Sequence, residues 1–228
     1  MFPLRDHERP SRFAWITYIL IALNIGAFLL ELSAYDQDAF INTWALTPAQ
    51  LSLGNPGSWI TLLTSQFLHG GFLHIAGNMW YLHIFGDNVE DRFGRLGFIV
   101  LYLSAGVAAA FAQVFIDPTS TIPMLGASGA IAGVLGAYLA LFPKNRVDAV
   151  IPYGPVMQHT TLPASLVLVM WFVLQLFSGT ASVVDGTASM GGTAFWAHVG
   201  GFVFGWIVGK LLARSGPPMA TRMAPVWR

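Results

Sequence analysis

Apolar positions along this chain fall into six long blocks, separated by short stretches rich in charge, Gly and Pro. The blocks run from about Phe13 to Leu32, Phe72 to Val89, Leu96 to Ile116, Leu125 to Phe142, Leu162 to Phe177 and Ala194 to Ala213. Roughly 20 residues of helix cross a bilayer core, and these blocks approach that length. The pattern predicts an all-α, polytopic membrane protein. It is a bundle of six transmembrane helices with a long, partly membrane-associated first extracytoplasmic loop. Residues 1–12 form a short cytoplasmic head, 13–213 the membrane domain, and 214–228, with Pro217, Pro218 and Pro225, a disordered cytoplasmic tail. No composition shift marks a second folded domain.

Composition agrees with this solvent. Apolar residues make up 55% of the chain and charged residues 10%, well below the quarter expected of a soluble domain. Formal net charge is zero, so charge matters by position, and nothing points to nucleic acid as a partner. There is no cysteine, which excludes disulfides, thiolate metal sites and a cysteine nucleophile. The first apolar run is too long for a signal peptide and has no small-residue cleavage site.

Position does sort the charges. Arg5, Arg9 and Arg12 precede the first span, Arg92 and Arg95 separate the second from the third, and Lys144 and Arg146 the fourth from the fifth. Lys210, Arg214, Arg222 and Arg228 close the sixth. All eleven basic residues thus share one side, while Glu31, Asp36, Asp38, Asp117 and Asp185 lie on the other. The positive-inside rule places both termini in the cytoplasm, as in a bacterial-type plasma membrane. The loop from Ser33 to Ser65 lies outside. Phe40, Ile41, Trp44 and Leu46 either anchor it at the headgroups or belong to a loop folded over the bundle.

Chemistry concentrates in three alternate spans. Span four opens Gly126-Ala127-Ser128-Gly129-Ala130-Ile131-Ala132-Gly133-Val134-Leu135-Gly136. Its small residues at four-residue spacing suit close helix packing in a membrane. Alone it reads as a packing seam whose serine bonds to its own preceding turn. Span two, however, carries His74 and Asn78 on one face, which Tyr81 continues, and span six carries His198 ahead of Gly201, Gly205 and Gly209. Five residues part His69 from His74, roughly 140° round a continuous helix, so those two share no helical face. Polar groups inside spans are costly and usually mark function or a partner.

Spans two, four and six run in the same direction, so Ser128, His198, His74 and Asn78 all lie near their outer ends. A serine with a histidine base is a hydrolase nucleophile, and His74 and Asn78 are donors for a developing oxyanion. No acidic residue lies in these outer half-helices, so the pair reads as a dyad. His69, His74 and His83 make no metal site, since no carboxylate falls among them; neither metal nor cofactor is expected. His159 reads as an exposed residue of a cytoplasmic loop. Asp87 and Glu90 are placed to pair with Arg92 or Arg95.

These residues together resemble the rhomboid intramembrane serine proteases of the basic six-helix form. The similarity rests on Phe67-Leu68-His69-Gly70-Gly71-Phe72-Leu73-His74-Ile75-Ala76-Gly77-Asn78, Glu90-Asp91-Arg92-Phe93-Gly94, Gly126-Ala127-Ser128-Gly129 and Ala197-His198-Val199-Gly200-Gly201, in order over nearly the whole chain. The resemblance implies a serine endopeptidase that hydrolyses transmembrane segments of protein substrates near the outer membrane face. Ser128 would be nucleophile and His198 base and then acid; His74, Asn78 and the Ser128 N–H would form the oxyanion hole. The loop Ser33 to Ser65, span five and the loop Ser178 to Thr193 would bound the substrate's way in, and Glu90 and Gly94 would close the inner turn. In many family members an aromatic stacks on the histidine from one turn after the serine; here Ala132 stands there, so support for His198 must come from elsewhere. Trp59-Ile60 replaces the Trp-Arg of some members. The alternative reading is a catalytically inactive relative that binds transmembrane helices. A small transporter is more distant, because no inverted repeat stands out.

Overall fold

A computed structural model describes residues 1–52, 54–153, 156–184 and 194–214. Its helices are α1 (Trp15–Ser33), α2 (Gln37–Trp44), α3 (Thr61–Thr64), α4 (Phe72–Ile116), α5 (Ser128–Leu141), α6 (Ala164–Val184) and α7 (Phe195–Arg214). The 45-residue α4 holds two of the expected spans. It is broken at Gly94, where φ is 72° and ψ 165°, a conformation that a residue with a Cβ resists. With α1, α5, α6 and α7 this makes the six-span membrane bundle of an integral membrane protein. Apolar side chains such as Leu23, Leu30, Phe115, Phe177 and Leu211 face outward, as lipid-facing positions should.

Two boundaries differ from the hydropathy pattern. Span four starts later, at Ser128, because the chain at Gly126 has φ +126° and cannot be helical. At 14 residues, α5 is about 21 Å long, short of the roughly 30 Å of a hydrocarbon core. Span five starts at Ala164, because Leu162 belongs to a strand and pairs with Val147. The first N–H groups of α6 donate to the turn after α5, from Ala164 to the Asn145 carbonyl (2.7 Å) and from Ser165 to the Pro143 carbonyl (3.2 Å).

Glu90 caps a helix, where an ion pair with Arg92 or Arg95 was expected, and Asp87 accepts from the Asn88 N–H (2.7 Å). Glu90, 4% exposed, accepts from the N–H groups of Ile16 (3.0 Å) and Thr17 (2.7 Å) and from the Thr17 hydroxyl (2.9 Å). These are free N–H groups at the start of α1, and its positive dipole end suits a carboxylate. Asp91 takes the Ser11 N–H and hydroxyl in the segment before α1. The turn after span two is thereby tied to the first helix.

At the basic end the chain forms a sheet that the helical pattern did not announce. Strands β1 (Phe2–Asp6), β2 (Arg146–Tyr153) and β3 (Val156–Pro163) are antiparallel in the order β1-β2-β3. The cause is period-two alternation: Val147 and Ala149 are fully buried, while Arg146 and Asp148 point the other way. Asp148 accepts from Thr161 (2.7 Å), Arg5 (2.8 Å) and His7 (2.9 Å). These contacts, that to Thr161 foremost, hold its carboxyl well below the usual range. His159 is exposed, on β3. The head is thus a docked strand, and the tail after Arg214 lies outside the described residues.

Asp6 docks β1 to the bundle. Its carboxylate accepts from the Tyr138 hydroxyl (2.5 Å) and the Asn88 amide (2.8 Å), and Asn145 donates to the same hydroxyl. Burial outweighs these bonds and pushes the Asp6 carboxyl up to about 7, with Asp87 and Glu8 adding repulsion. The folded state therefore holds a proton that the unfolded chain has released, and stability falls as pH rises from about 4 to about 7, then levels off. Thermal unfolding in detergent should show this slope in the native chain and a clearly shallower one in Asp6→Asn. An unchanged slope in that variant would remove Asp6 as its source.

The loop from Ser33 to Ser65 folds over the second half of α4. Leu46 is 1% exposed, bridges to Met124 and packs with Leu62 and Ala110, so it is core, not a headgroup anchor. Trp44 and Ile60 remain exposed. Trp59 donates to the Ser52 carbonyl (3.1 Å) and leans on Phe111.

Candidate active site

Helices α5 and α7 touch backbone to backbone. A Cβ placed on Gly201 would lie 2.1 Å from the Gly129 carbonyl oxygen, one on Gly205 1.8 Å from that of Gly133, and one on Gly136 2.0 Å from that of Phe202. Only hydrogen fits at these crossings, which is how small residues bring membrane helices together. The contact fixes the chemistry one turn above it. Ser128 precedes Gly129, His198 precedes Gly201 by three residues, and the His198 Nε2 lies 2.8 Å from the Ser128 Oγ.

Ser128 is the first residue of α5, so neighbouring N–H groups have no carbonyl in a preceding helical turn. The chain reaches it through Gly126, whose N–H donates to the Ser65 carbonyl (2.9 Å). A Cβ at Gly126 would meet the His74 ring at 2.8 Å and the Ser128 Oγ at 3.6 Å. This glycine therefore serves both its positive φ and the approach of His74 to the serine.

The four predicted residues line one cavity of about 880 Å³, with Tyr81 and Gln113 among its other walls. Asn78, 9% exposed, has a buried Nδ2 with no hydrogen-bond partner among the described residues. This amide lines the same cavity as Ser128. His69 does meet His74, edge to face with ring centroids 5.2 Å apart. The helix starts only at Phe72, so helical spacing does not separate them. Metal-binding groups of three or more His, Asp or Glu are absent among the described residues.

Two side chains that the sequence reading left out surround the histidine, both from α6. The Gln175 Oε1 lies 2.7 Å from His198 Nδ1, and the Trp171 ring lies 5.8 Å from the imidazole at an interplanar angle of 36°. Ala132, buried on α5, leaves the other flank without an aromatic. The available signal was a lone amide inside the apolar run of span five, a costly residue to place there. The proposed gating segment Ser178 to Thr193 lies partly outside the described residues.

Known proteins are similar to this chain in sequence. The Rhomboid domain profile matches residues 56–215. "Rhomboid protease GluP" of Bacillus subtilis (strain 168) is 39% identical over 134 residues, covering 57% of this chain and 25% of its own. "Rhomboid-like protein 11, chloroplastic" of Arabidopsis thaliana is 24% identical over 210 residues, covering 92% of this chain and 70% of its own. The human "Presenilin-associated rhomboid-like protein, mitochondrial" is 30% identical over 196 residues, covering 83% of this chain and 46% of its own. The chain spans a quarter of the Bacillus protein and under half of the human one. With the profile spanning more than half of its length, the chain belongs to the rhomboid family.

Proposed function

We propose that this protein is an intramembrane serine endopeptidase that cuts transmembrane segments of protein substrates near the outer membrane face. The observation that carries the reading is the 2.8 Å contact between Ser128 Oγ and His198 Nε2 at the recessed start of a short helix. Ser128 attacks the scissile carbonyl carbon while its proton passes to His198 Nε2. The oxyanion accepts hydrogen bonds from the Ser128 N–H, Asn78 and His74. His198 then gives its proton to the leaving amine, and water, activated by the same nitrogen, hydrolyses the acyl-enzyme.

The basic ends of the helices face the cytoplasm in this reading, with residues 13–213 as the membrane domain and the cavity opening to the outer face. The length of α5 falls about 9 Å short of a hydrocarbon core, which admits water beside Ser128. A regular helix shields its peptide bonds, and opening its hydrogen bonds in lipid costs several kcal/mol per unsatisfied group. Substrates with Gly or Pro near their outer end are therefore preferred, and the rhomboid resemblance adds a small residue, such as Ala, before the cut.

A fluorophosphonate probe should label the detergent-solubilised protein and fail to label Ser128→Ala. Mass spectrometry of products from a single-pass substrate should find the cut near its outer end, slowed when the helix breaker becomes Leu. A dominant cut at the cytoplasmic end would refute the outward-opening site.

A further inference from the structure

We propose that Gln175 is the positioning residue of the Ser128–His198 pair, the neutral counterpart of a triad's acid; this rests on the protease reading above. Three observations converge. The Gln175 Oε1 lies 2.7 Å from His198 Nδ1, while the opposite ring nitrogen lies 2.8 Å from Ser128 Oγ. His198 is 8% exposed, so its ring is held mainly by protein neighbours. The aromatic expected from α5 is absent at Ala132, and Trp171, one turn before Gln175 on α6, contacts the ring at a tilt, centroids 5.8 Å apart.

The chemistry follows from what an amide oxygen can do. It accepts and does not donate, so the proton of the neutral imidazole sits on Nδ1 and the lone pair on Nε2 faces the serine. That is the tautomer a general base needs. When Nε2 takes the serine proton, the Nδ1–H to Oε1 bond becomes charge-assisted and strengthens. A buried carboxylate would stabilise the imidazolium more, but leaving an ionised acid at this depth is expensive. An amide orients the ring without that charge. The same amide turned over would present its NH₂ to Nδ1 and force the proton onto Nε2, the unproductive tautomer, so the contact has a testable sense.

The test compares Gln175→Leu and Gln175→Glu with the native chain on one transmembrane reporter, with Tm measured on the same preparations. A wrong tautomer costs a Ser-His-Asp protease about 10⁴-fold. For a neutral partner that only biases the ring, Gln175→Leu should lower kcat about 10- to 100-fold, with KM changed less than about twofold. Gln175→Glu keeps an acceptor and should recover much of that loss. It should also move the acid limb of the kcat/KM profile to higher pH, because a carboxylate stabilises the imidazolium. His74 and Tyr81 are the other titratable side chains lining the cavity; running the profiles in a Tyr81→Phe background removes one, and His74 is common to all variants.

A readout independent of turnover is the ¹⁵N spectrum of histidine-labelled protein, with His198 assigned by loss of its signals in His198→Ala. The native chain should show a protonated Nδ1, and Gln175→Leu a mixture. Native turnover and an unmoved pH profile in Gln175→Leu would overturn the proposal, as would a protonated Nε2 in the native spectrum. Losses in the Leu and Glu variants that track Tm alone would reduce Gln175 to a packing residue and overturn it too. Ser128→Ala on the same reporter separates the two layers: turnover surviving there overturns the protease reading and this inference together. Turnover lost there but kept in Gln175→Leu overturns the inference alone.

Discussion

Ser128→Ala and His198→Ala should each abolish cleavage of a transmembrane reporter while leaving the bundle folded. Ser128 touches its neighbours chiefly through one hydroxyl, 2.8 Å from His198, and removing that oxygen leaves the α5–α7 glycine contacts intact. Nucleophile and base act in one step, so their losses do not add. In a soluble serine protease either single loss costs about 10⁶-fold and the combination costs hardly more. The double variant here should therefore be no slower than either single one. A multiplicative loss would mean that His198 works elsewhere than on Ser128. Turnover in pure Ser128→Ala protein would end the serine-protease reading outright.

Much of the fold and site was legible because the membrane writes its constraints into sequence. Length and apolarity mark the spans, and the placement of basic residues sorts their ends. A polar residue inside such a run is expensive enough to be a signal, which is how His74, Asn78, Ser128 and His198 stood out, and they do line one cavity. Gln175 carried the same signal. As a neutral amide it does not belong to the acids that complete a Ser-His-Asp triad, so acid counting passes over it.

The sheet at the basic end was hidden for a different reason. Its strands run five to eight residues, but the alternation of buried Val147 and Ala149 with Arg146 and Asp148 covers only four of them, too few to stand out against the surrounding hydropathy. Glu90 showed the limit of charge counting. Arginines lie two and five residues away in sequence, yet its carboxylate satisfies the exposed N–H groups of α1, a partner that only the tertiary fold brings near.

Gly205→Ala should disrupt both stability and chemistry, although Gly205 does not line the cavity. The added methyl would sit 1.8 Å from the Gly133 carbonyl oxygen and 2.5 Å from its carbon, where ordinary contacts begin near 3.5 Å. The obstructing atoms are helix backbone, so no rotamer change relieves the clash and α7 must move away from α5. Overpacking usually costs about 1–3 kcal/mol, and more where backbone must shift. Because His198 rides on α7 and Ser128 on α5, a separation of even 1 Å stretches their hydrogen bond beyond useful range. Such misplacement can cost about 10²-fold in rate. Gly26→Ala on α1 is the matched control, since nothing lies within 4 Å of a Cβ there. It should be neutral, or stabilising by up to about 1 kcal/mol from helix propensity. Thermal unfolding and fluorophosphonate labelling of both variants provide the comparison. Native Tm and native labelling in Gly205→Ala would show that backbone contact between α5 and α7 does not hold the pair together.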